Sequence, residues 1–222
     1  MVIAIDGPGG VGKSTVSQRV AGALELPHLD TGSTYRTAGL LALRSGAALD
    51  DAQAVVDAIQ DATIAIDEGS VTVDGADVTE LLRGDEVTSA SSTVAAHPIV
   101  RARVVELQRA WVSAHGGSAV VEGRDIGTVV FPNAPVKIYL TARAEVRAAR
   151  RSGDVEAADK SQEQIASELA ARDHADSTRA ASPLRPADDA VIVDTSDLGI
   201  DHVVAEVLRV VARAERRRRH TL

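Results

Sequence analysis

The sequence predicts an α/β fold, a mostly parallel sheet covered by helices on both faces, and three observations carry that expectation. Short β-rich apolar runs alternate with segments of helical periodicity along most of the chain. The runs Ser118 to Val121 and Val136 to Leu140 both end in polar residues. A glycine-rich turn separates the first run from the first helical segment. With 222 residues, 45% hydrophobic and 25% charged, the chain has material for one domain with an elaboration.

Val2 to Ile5 read as the first strand, and Lys13 to Leu24 as a helix with Val16, Val20 and Leu24 four residues apart. His28-Leu29-Asp30 is strand-like. Helical segments follow over Tyr35 to Ser45 and Asp50 to Ala62. Residues 63 to 78 break the pattern: Thr63 to Asp67 and Val71 to Gly75, joined at Glu68-Gly69-Ser70, read as an antiparallel hairpin inserted into the α/β plan. His97-Pro98 starts a helix, since proline suits the first helical position; Val100, Val104, Leu107 and Trp111 mark its apolar side, and Gly116-Gly117 stop it. Ser118 to Val121 and Val136 to Leu140 are strands. A basic segment with Arg143, Arg147, Arg150 and Arg151 precedes a polar, alanine-rich stretch from Ser152 to Lys160. Ser161 and Gln164 have capping-box spacing for a helix to about Thr178, and Val191 to Asp194 is the last strand. An amphipathic helix from Ile200 to about Arg213 closes the chain.

Composition excludes several functions. Aromatic residues are 2% of the chain, too few for a platform that stacks single-stranded nucleic acid. There are no cysteines, hence no disulfide, thiolate or zinc-finger chemistry. The net charge is −8; residues 209 to 222 hold six Arg and one Glu, so the body carries 18 basic against 31 acidic residues, or −13. Such a body repels a phosphate polymer, and any phosphate must be held by a few placed cations. No apolar run reaches the length of a membrane span or a signal peptide, so a cytoplasmic protein is expected, with neither membrane nor nucleic acid polymer as partner.

Gly7-Pro8-Gly9-Gly10-Val11-Gly12-Lys13-Ser14 satisfies G-x-x-x-x-G-K-[ST] between a strand and a helix, the context that motif requires. Its glycines let backbone N–H groups converge on phosphate oxygens, and the helix N-terminus adds partial positive charge. Lys13 supplies a full charge to the β and γ phosphates, and a hydroxyl, Ser14 by the motif with Thr15 beside it, reaches Mg²⁺. This P-loop indicates a nucleoside triphosphate, and the acceptor must be read elsewhere.

Three arginine-bearing clusters follow strands, where open α/β sheets place ligands. They are Asp30-Thr31-Gly32-Ser33-Thr34-Tyr35-Arg36, then Gly123-Arg124-Asp125, and then Arg172, Asp176 and Arg179. Ile165 and Leu169 continue into the last set at helical spacing, so one stripe passes from apolar to charged, as a helix leaving the core for a cleft does; a solvated ion-pair network has the same spacing. Arg124-Asp125 also reads as a salt-bridged strand end. Arg147 and Arg151 share a helix face, either over a bound phosphate or in solvent.

Together the P-loop, DTGSTYR at 30–36, the hairpin, SSTVAAHPIVR at 91–101, GRDIGTVVFPNAPVKIYL at 123–140 and RDHADSTRAASPL at 172–184 resemble the bacterial cytidylate kinases, nucleoside monophosphate kinases, over nearly the whole chain. The resemblance implies a P-loop kinase core at 1–35, 116–142 and 185–222, a monophosphate-binding region at about 36–115 and a lid at about 143–165. It implies that Arg36 and Arg124 clamp the acceptor phosphate, beside Asp30 and Thr31, and that Ser92, Arg101 and Asp125 read the cytosine edge. Arg172 and Asp176 would meet the ribose, with Arg179 completing the pocket. The implied activity is Mg²⁺-assisted phosphoryl transfer from ATP to CMP or dCMP by a monomer, with Lys13, Arg36, Arg124, Arg147 and Arg151 sharing the developing charge. This chain has Ser14-Thr15 where the family often has Gly-Thr, which leaves two hydroxyls for the metal. A P-loop kinase for another small acceptor, or a nucleotide-dependent switch, is the alternative; against the switch, no N-K-x-D guanine-reading motif is present.

Overall fold

β1 (Val2–Asp6) is the axis of a five-stranded sheet ordered β2-β6-β1-β7-β8. Its partners are β6 (Ala119–Gly123) and β7 (Val136–Thr141), both parallel, with Ile5 opposite Glu122 and Asp6 opposite Gly123 and Tyr139. β7 in turn pairs in parallel with β8 (Val191–Asp194), and β2 (His28–Asp30) lies beside β6 at the other edge. Ile3 and Ile5 have no solvent exposure, and burial of each is worth about 1.5–3 kcal/mol. The computed structural model describes residues 1–67, 69–153 and 161–219. Glu68 of the expected hairpin turn and residues 154–160 of the expected lid lie outside them.

The chain divides into two compact units, Met1–Leu29 with His115–Leu222, and Asp30–Ala114. In the first, α1 (Lys13–Leu24) buries Val16 and Val20 against the sheet together with Val203, Val207 and Val211 of α8 (Ile200–Arg219). α8 runs six residues past the expected end at Arg213, because Arg, Ala and Glu are all good helix formers and nothing stops it. α6 (Ala144–Arg151) and α7 (Gln162–Thr178) pack through Ala148, Ile165, Ala166 and Leu169. The Ser161 hydroxyl accepts from the Gln164 N–H at 3.2 Å and the Gln164 carbonyl oxygen accepts from the Ser161 N–H at 2.8 Å, the reciprocal cap that the spacing predicts.

In the second unit, α2 (Thr31–Ser45) starts four residues before the expected Tyr35, because the Asp30 carboxylate caps it, accepting from the Gly32 N–H at 2.7 Å. α3 (Ala52–Gln60) is capped by Asp51 in the same way. β3 (Ile64–Asp67) and β4 (Ser70–Val73) form the expected hairpin, to which β5 (Ala76–Asp77) adds a third antiparallel strand. The signal for β5 was Asp74-Gly75, a two-residue hairpin turn with φ of 51° and 80°. α4 (Asp85–Val94) has no counterpart in the sequence reading. Its run of Thr88, Ser89, Ser91, Ser92 and Thr93 has low intrinsic helix preference, and tertiary packing of Val87, Ala90, Ser91 and Val94 overrides that. α5 (Pro98–Ala114) begins on its proline, and its Trp111 donates to the Ile66 carbonyl at 2.8 Å.

α2 and α4 meet at Gly39. A Cβ there would lie 2.8 Å from the Ser91 nitrogen and 3.2 Å from the Ala90 carbonyl carbon, both backbone atoms that have no freedom to yield. Gly39→Ala is therefore expected to lower stability by about 1–3 kcal/mol through overpacking, read as a drop in the urea midpoint; an unchanged midpoint would contradict this packing.

Candidate active site

The phosphate loop leaves the sheet at Asp6 and ends where α1 begins at Lys13. The buried Lys13 ammonium donates to the Pro8 carbonyl at 2.8 Å, which closes the loop on itself. A loop that offers its N–H groups to an anion must satisfy its carbonyls elsewhere, and arginines do this here. Arg124 donates to the Gly7 carbonyl at 3.1 Å, Arg147 to Gly9 at 3.1 Å and Arg150 to Val11 at 3.3 Å. Gly10 must be glycine: its φ is +75°, and a Cβ would lie 2.8 Å from the Arg147 carbonyl oxygen. Three guanidinium groups thus stand against the loop, one directly after β6 and two on α6.

Each arginine is itself held. Arg124 Nε donates to Asp176 Oδ2 at 2.9 Å, and the other Asp176 oxygen accepts from Arg179 at 3.2 Å. Arg147 pairs with Asp173, whose Oδ1 also accepts from the Gly9 N–H at 3.3 Å. Arg150 donates to the Thr195 hydroxyl at 2.8 Å and to its carbonyl at 2.6 Å. The apolar-to-charged stripe on α7 is real: Ile165 is buried, Leu169 packs beside it, and Asp176 meets Arg124. Arg179 departs from the helical reading, since α7 ends at Thr178 and Arg179 is extended, donating to the Ser182 carbonyl at 2.7 Å. Arg172 is half-buried on the same helix.

Asp6 accepts from the Ile126 N–H at 2.8 Å and the Gly127 N–H at 2.7 Å. It thereby fixes the widened helical turn Ile126–Val130 that follows Arg124 and the buried Asp125. Burial pushes the Asp6 carboxyl up to about 6; the two N–H bonds and Lys13 oppose the shift, and the Asp125 charge adds to it. Glu122, buried at the end of β6, accepts from the Ser14 hydroxyl at 3.2 Å through Oε2. Ser14 and Thr15 are both exposed at the start of α1. The Ser14 hydroxyl and the Glu122 carboxylate are hard oxygen groups side by side, a donor set that suits Mg²⁺ and selects Ser14 as the hydroxyl beside a carboxylate.

The second unit holds the other expected residues. Arg36 Nη2 pairs with Asp30 Oδ2 at 2.7 Å, while Arg36 Nε is buried with no hydrogen-bond partner. Thr31 is buried in the first turn of α2. The Arg101 guanidinium lies 5.0 Å from the centre of the Tyr35 ring, in cation–π range, and Arg101 is itself buried. Ser92 is exposed, and its hydroxyl returns to the Thr88 carbonyl of its own helix at 3.3 Å.

Five residues at the loop or one contact behind it escaped the sequence reading as site residues: Asp6, His28, Glu122, Arg150 and Asp173. Asp6 and Glu122 sit at the ends of parallel strands, which was a usable signal. Asp173 lies four residues after Leu169, on the face already marked as functional. Nothing local distinguished Arg150 from Arg151, or His28 from any half-buried histidine.

A central parallel strand that turns through a lysine-bearing glycine loop into a helix, with arginines gathered around that loop, defines a P-loop kinase. The match to known sequences is more specific. The chain belongs to the cytidylate kinase family, whose model matches residues 3–213. It is 50% identical over 222 residues to a cytidylate kinase of Rhodococcus opacus (strain B4), covering 96% of this chain and 95% of that protein. It is 51% identical over 213 residues to a cytidylate kinase of Mycobacterium avium (strain 104), covering 91% and 93%. A solved structure of an uncharacterized protein from Eubacterium ventriosum ATCC 27560 shares the fold, with a TM-score of 0.52 and 11% identity over 96% of this chain and 98% of that one.

Proposed function

We propose that the chain transfers the γ-phosphoryl group of MgATP to the 5′-phosphate of CMP, and of dCMP, giving the nucleoside diphosphate and ADP. The observation that carries this reading is the ring of Lys13, Arg124 and Arg147 on the phosphate loop, held in place by Asp173 and Asp176. An acceptor oxygen attacks the γ-phosphorus as the bond to the β–γ bridging oxygen breaks. That oxygen is already anionic at neutral pH, so the reaction needs no general base, and catalysis consists of positioning and charge neutralisation. Mg²⁺, held with the ATP phosphates by Ser14 beside Glu122, would neutralise charge on the transferring group.

Arg36 and Arg124 are assigned to the acceptor phosphate, with Asp30 and Thr31 beside them. Guanidinium forks match phosphate oxygens bidentately, and the Arg36 Nε with no protein partner is one such donor in waiting. Ser92, Arg101 and Asp125 are assigned to the base, Arg172 and Asp176 to the ribose, with Arg179 alongside. α6, which carries Arg147 and Arg151, is assigned to the lid over 143–165, whose closure would exclude water from the transfer. Among the described residues no helix is long and apolar enough to cross a membrane. We place the reaction in the cytoplasm, with a monomeric chain and no nucleic acid polymer as partner.

Cytosine carries an exocyclic amine, a donor that the buried Asp125 carboxylate accepts, whereas uracil presents an acceptor there. Calorimetric titration with CMP, UMP, AMP and GMP is expected to give tightest binding for CMP, and coupled ADP detection a kcat/KM for CMP at least ~10-fold above UMP, consistent with a mismatched buried polar group. Equal efficiencies would remove Asp125 from base recognition. Preferred binding of AMP or GMP would refute CMP as the acceptor.

A further inference from the structure

We propose that Arg150 and Thr195 are positioning residues for the phosphate loop: together they fix the Val11 carbonyl and thereby aim the Gly12 N–H at a bound phosphate. This deepens the MgATP reading of the loop and rests on it.

A trans peptide is planar, with its C=O and N–H pointing in opposite directions, and no cis peptide occurs among the described residues. Whatever fixes a carbonyl therefore also fixes the N–H of the next residue. The peptide after Gly12 is set by the helix, since the Val16 N–H donates to the Gly12 carbonyl at 3.0 Å. The peptide before it, between Val11 and Gly12, is held from outside the loop. Its carbonyl accepts from Arg150 Nη1 at 3.3 Å and from the Thr195 hydroxyl at 3.3 Å. Gly12 has a φ of +89°, and a Cβ there would meet nothing within 4 Å, so this position borders open space and no side chain of its own packs to restrain it. Glycine is the most permissive residue, and its peptide keeps one direction only while its polar groups are held.

The two residues that hold it are themselves fixed to the sheet. Thr195 follows β8 directly and is 1% exposed. Its N–H donates to the Thr141 carbonyl at the end of β7 at 2.8 Å, and its hydroxyl lies 3.1 Å from that same carbonyl. A hydroxyl has a single hydrogen, which the Val11 and Thr141 carbonyls share, and its lone pairs accept from Arg150 Nη1 at 2.8 Å. Arg150 Nη2 donates to the Thr195 carbonyl at 2.6 Å, so the planar fork grips one residue twice and presents Nη1 to Val11. Contacts thus run from the ends of β7 and β8 through Thr195 and Arg150 to the Val11 carbonyl, with the Gly12 N–H on the opposite side of that peptide. Neither side chain is assigned to a substrate; both act through the loop. The consequence is selective: their loss weakens a nucleotide held by the loop and leaves CMP alone.

The test is calorimetric titration of the wild-type protein, Thr195→Val, Thr195→Ser and Arg150→Met with ADP, and with CMP as a control of folding. Kd for ADP is expected to rise about 10-fold in Thr195→Val and in Arg150→Met, the equivalent of one good hydrogen bond, with CMP within about 2-fold of wild type. Thr195→Ser, which keeps the hydroxyl, is expected to recover most of the ADP affinity. In an amide ¹H–¹⁵N spectrum the Gly12 proton should move downfield when ADP is added to the wild type, as an N–H donating to an anion does, and should move less in Thr195→Val and Arg150→Met. Arg150→Met carries the test if Thr195→Val does not fold. Wild-type ADP affinity in either variant, Ser no better than Val, an equal loss for CMP, or an undiminished Gly12 shift would each overturn the positioning role. A wild-type protein that does not bind ADP would instead overturn the MgATP reading of the loop, and this inference with it.

Discussion

Lys13→Ala is expected to lower turnover of CMP by at least ~10²-fold, with binding of CMP itself left within about 2-fold. The lysine is the first residue of α1, buried, and its ammonium now donates to the Pro8 carbonyl at 2.8 Å. A neutral carbonyl is a weak competitor for a triphosphate, so the ammonium exchanges this contact for the β and γ oxygens when they arrive. The charge it neutralises grows as the γ group transfers, which is why the loss falls mainly on kcat rather than on KM. The surrounding arginines do not move into its place, because Arg124, Arg147 and Arg150 are each anchored at their own positions by a loop carbonyl and an acidic or hydroxyl partner. Losing the Lys13–Pro8 hydrogen bond costs stability by only about 1 kcal/mol, so urea unfolding separates the two effects. A variant with near wild-type kcat would remove Lys13 from the chemistry.

The second large effect is a dependence of stability on pH. Asp6 has a folded pKa pushed up to about 6 from an ordinary value of 3.8, chiefly by burial. Between those values the folded protein holds a proton that the unfolded chain releases. The contribution of Asp6 to stability is therefore full below about pH 4 and is lost as pH rises through 6. Asp6→Asn carries no titrating group at that position. The stability advantage of the wild type over Asp6→Asn should shrink by roughly 2 kcal/mol between pH 4.5 and 7, as a shift of this size implies. Urea unfolding of both proteins across that range provides the measurement. Parallel stability curves would show that Asp6 titrates normally. Asp6 keeps its place because its two backbone contacts hold Ile126 and Gly127, and with them the corner that carries Arg124 and Asp125.

Much of the site's donor half was legible because its determinants are local. Gly7 to Ser14 specifies a loop within eight residues, and the structure has strand, loop and helix at those positions. Ser161 and Gln164 cap α7 as their three-residue spacing requires, and Pro98 opens α5. The stripe from Ile165 to Asp176 was readable because 3.6 residues per turn projects onto one face whatever the neighbours are. Failures occurred where local preference was weak or where the partner lay far along the chain. α4 was lost in a Ser/Thr run, and β5 in a two-residue strand beyond Asp74-Gly75.

The sequence alone thus determined the strands of the parallel sheet, most of the helices, the phosphate loop, the caps at Ser161 and Pro98 and the family of the chain, since each depends on residues within a few turns of one another or on motifs read end to end. Tertiary structure decided which side chains meet: Asp6 with Ile126 and Gly127, Glu122 with Ser14 and His28, Arg124 with Asp176, and Arg150 with Val11 and Thr195. These contacts follow from the order β2-β6-β1-β7-β8 and from a parallel register that sets Ile5 against Glu122. Hydrophobic periodicity says that a strand is buried; it carries no information about which strand lies beside it or at what offset, and a catalytic contact depends on both.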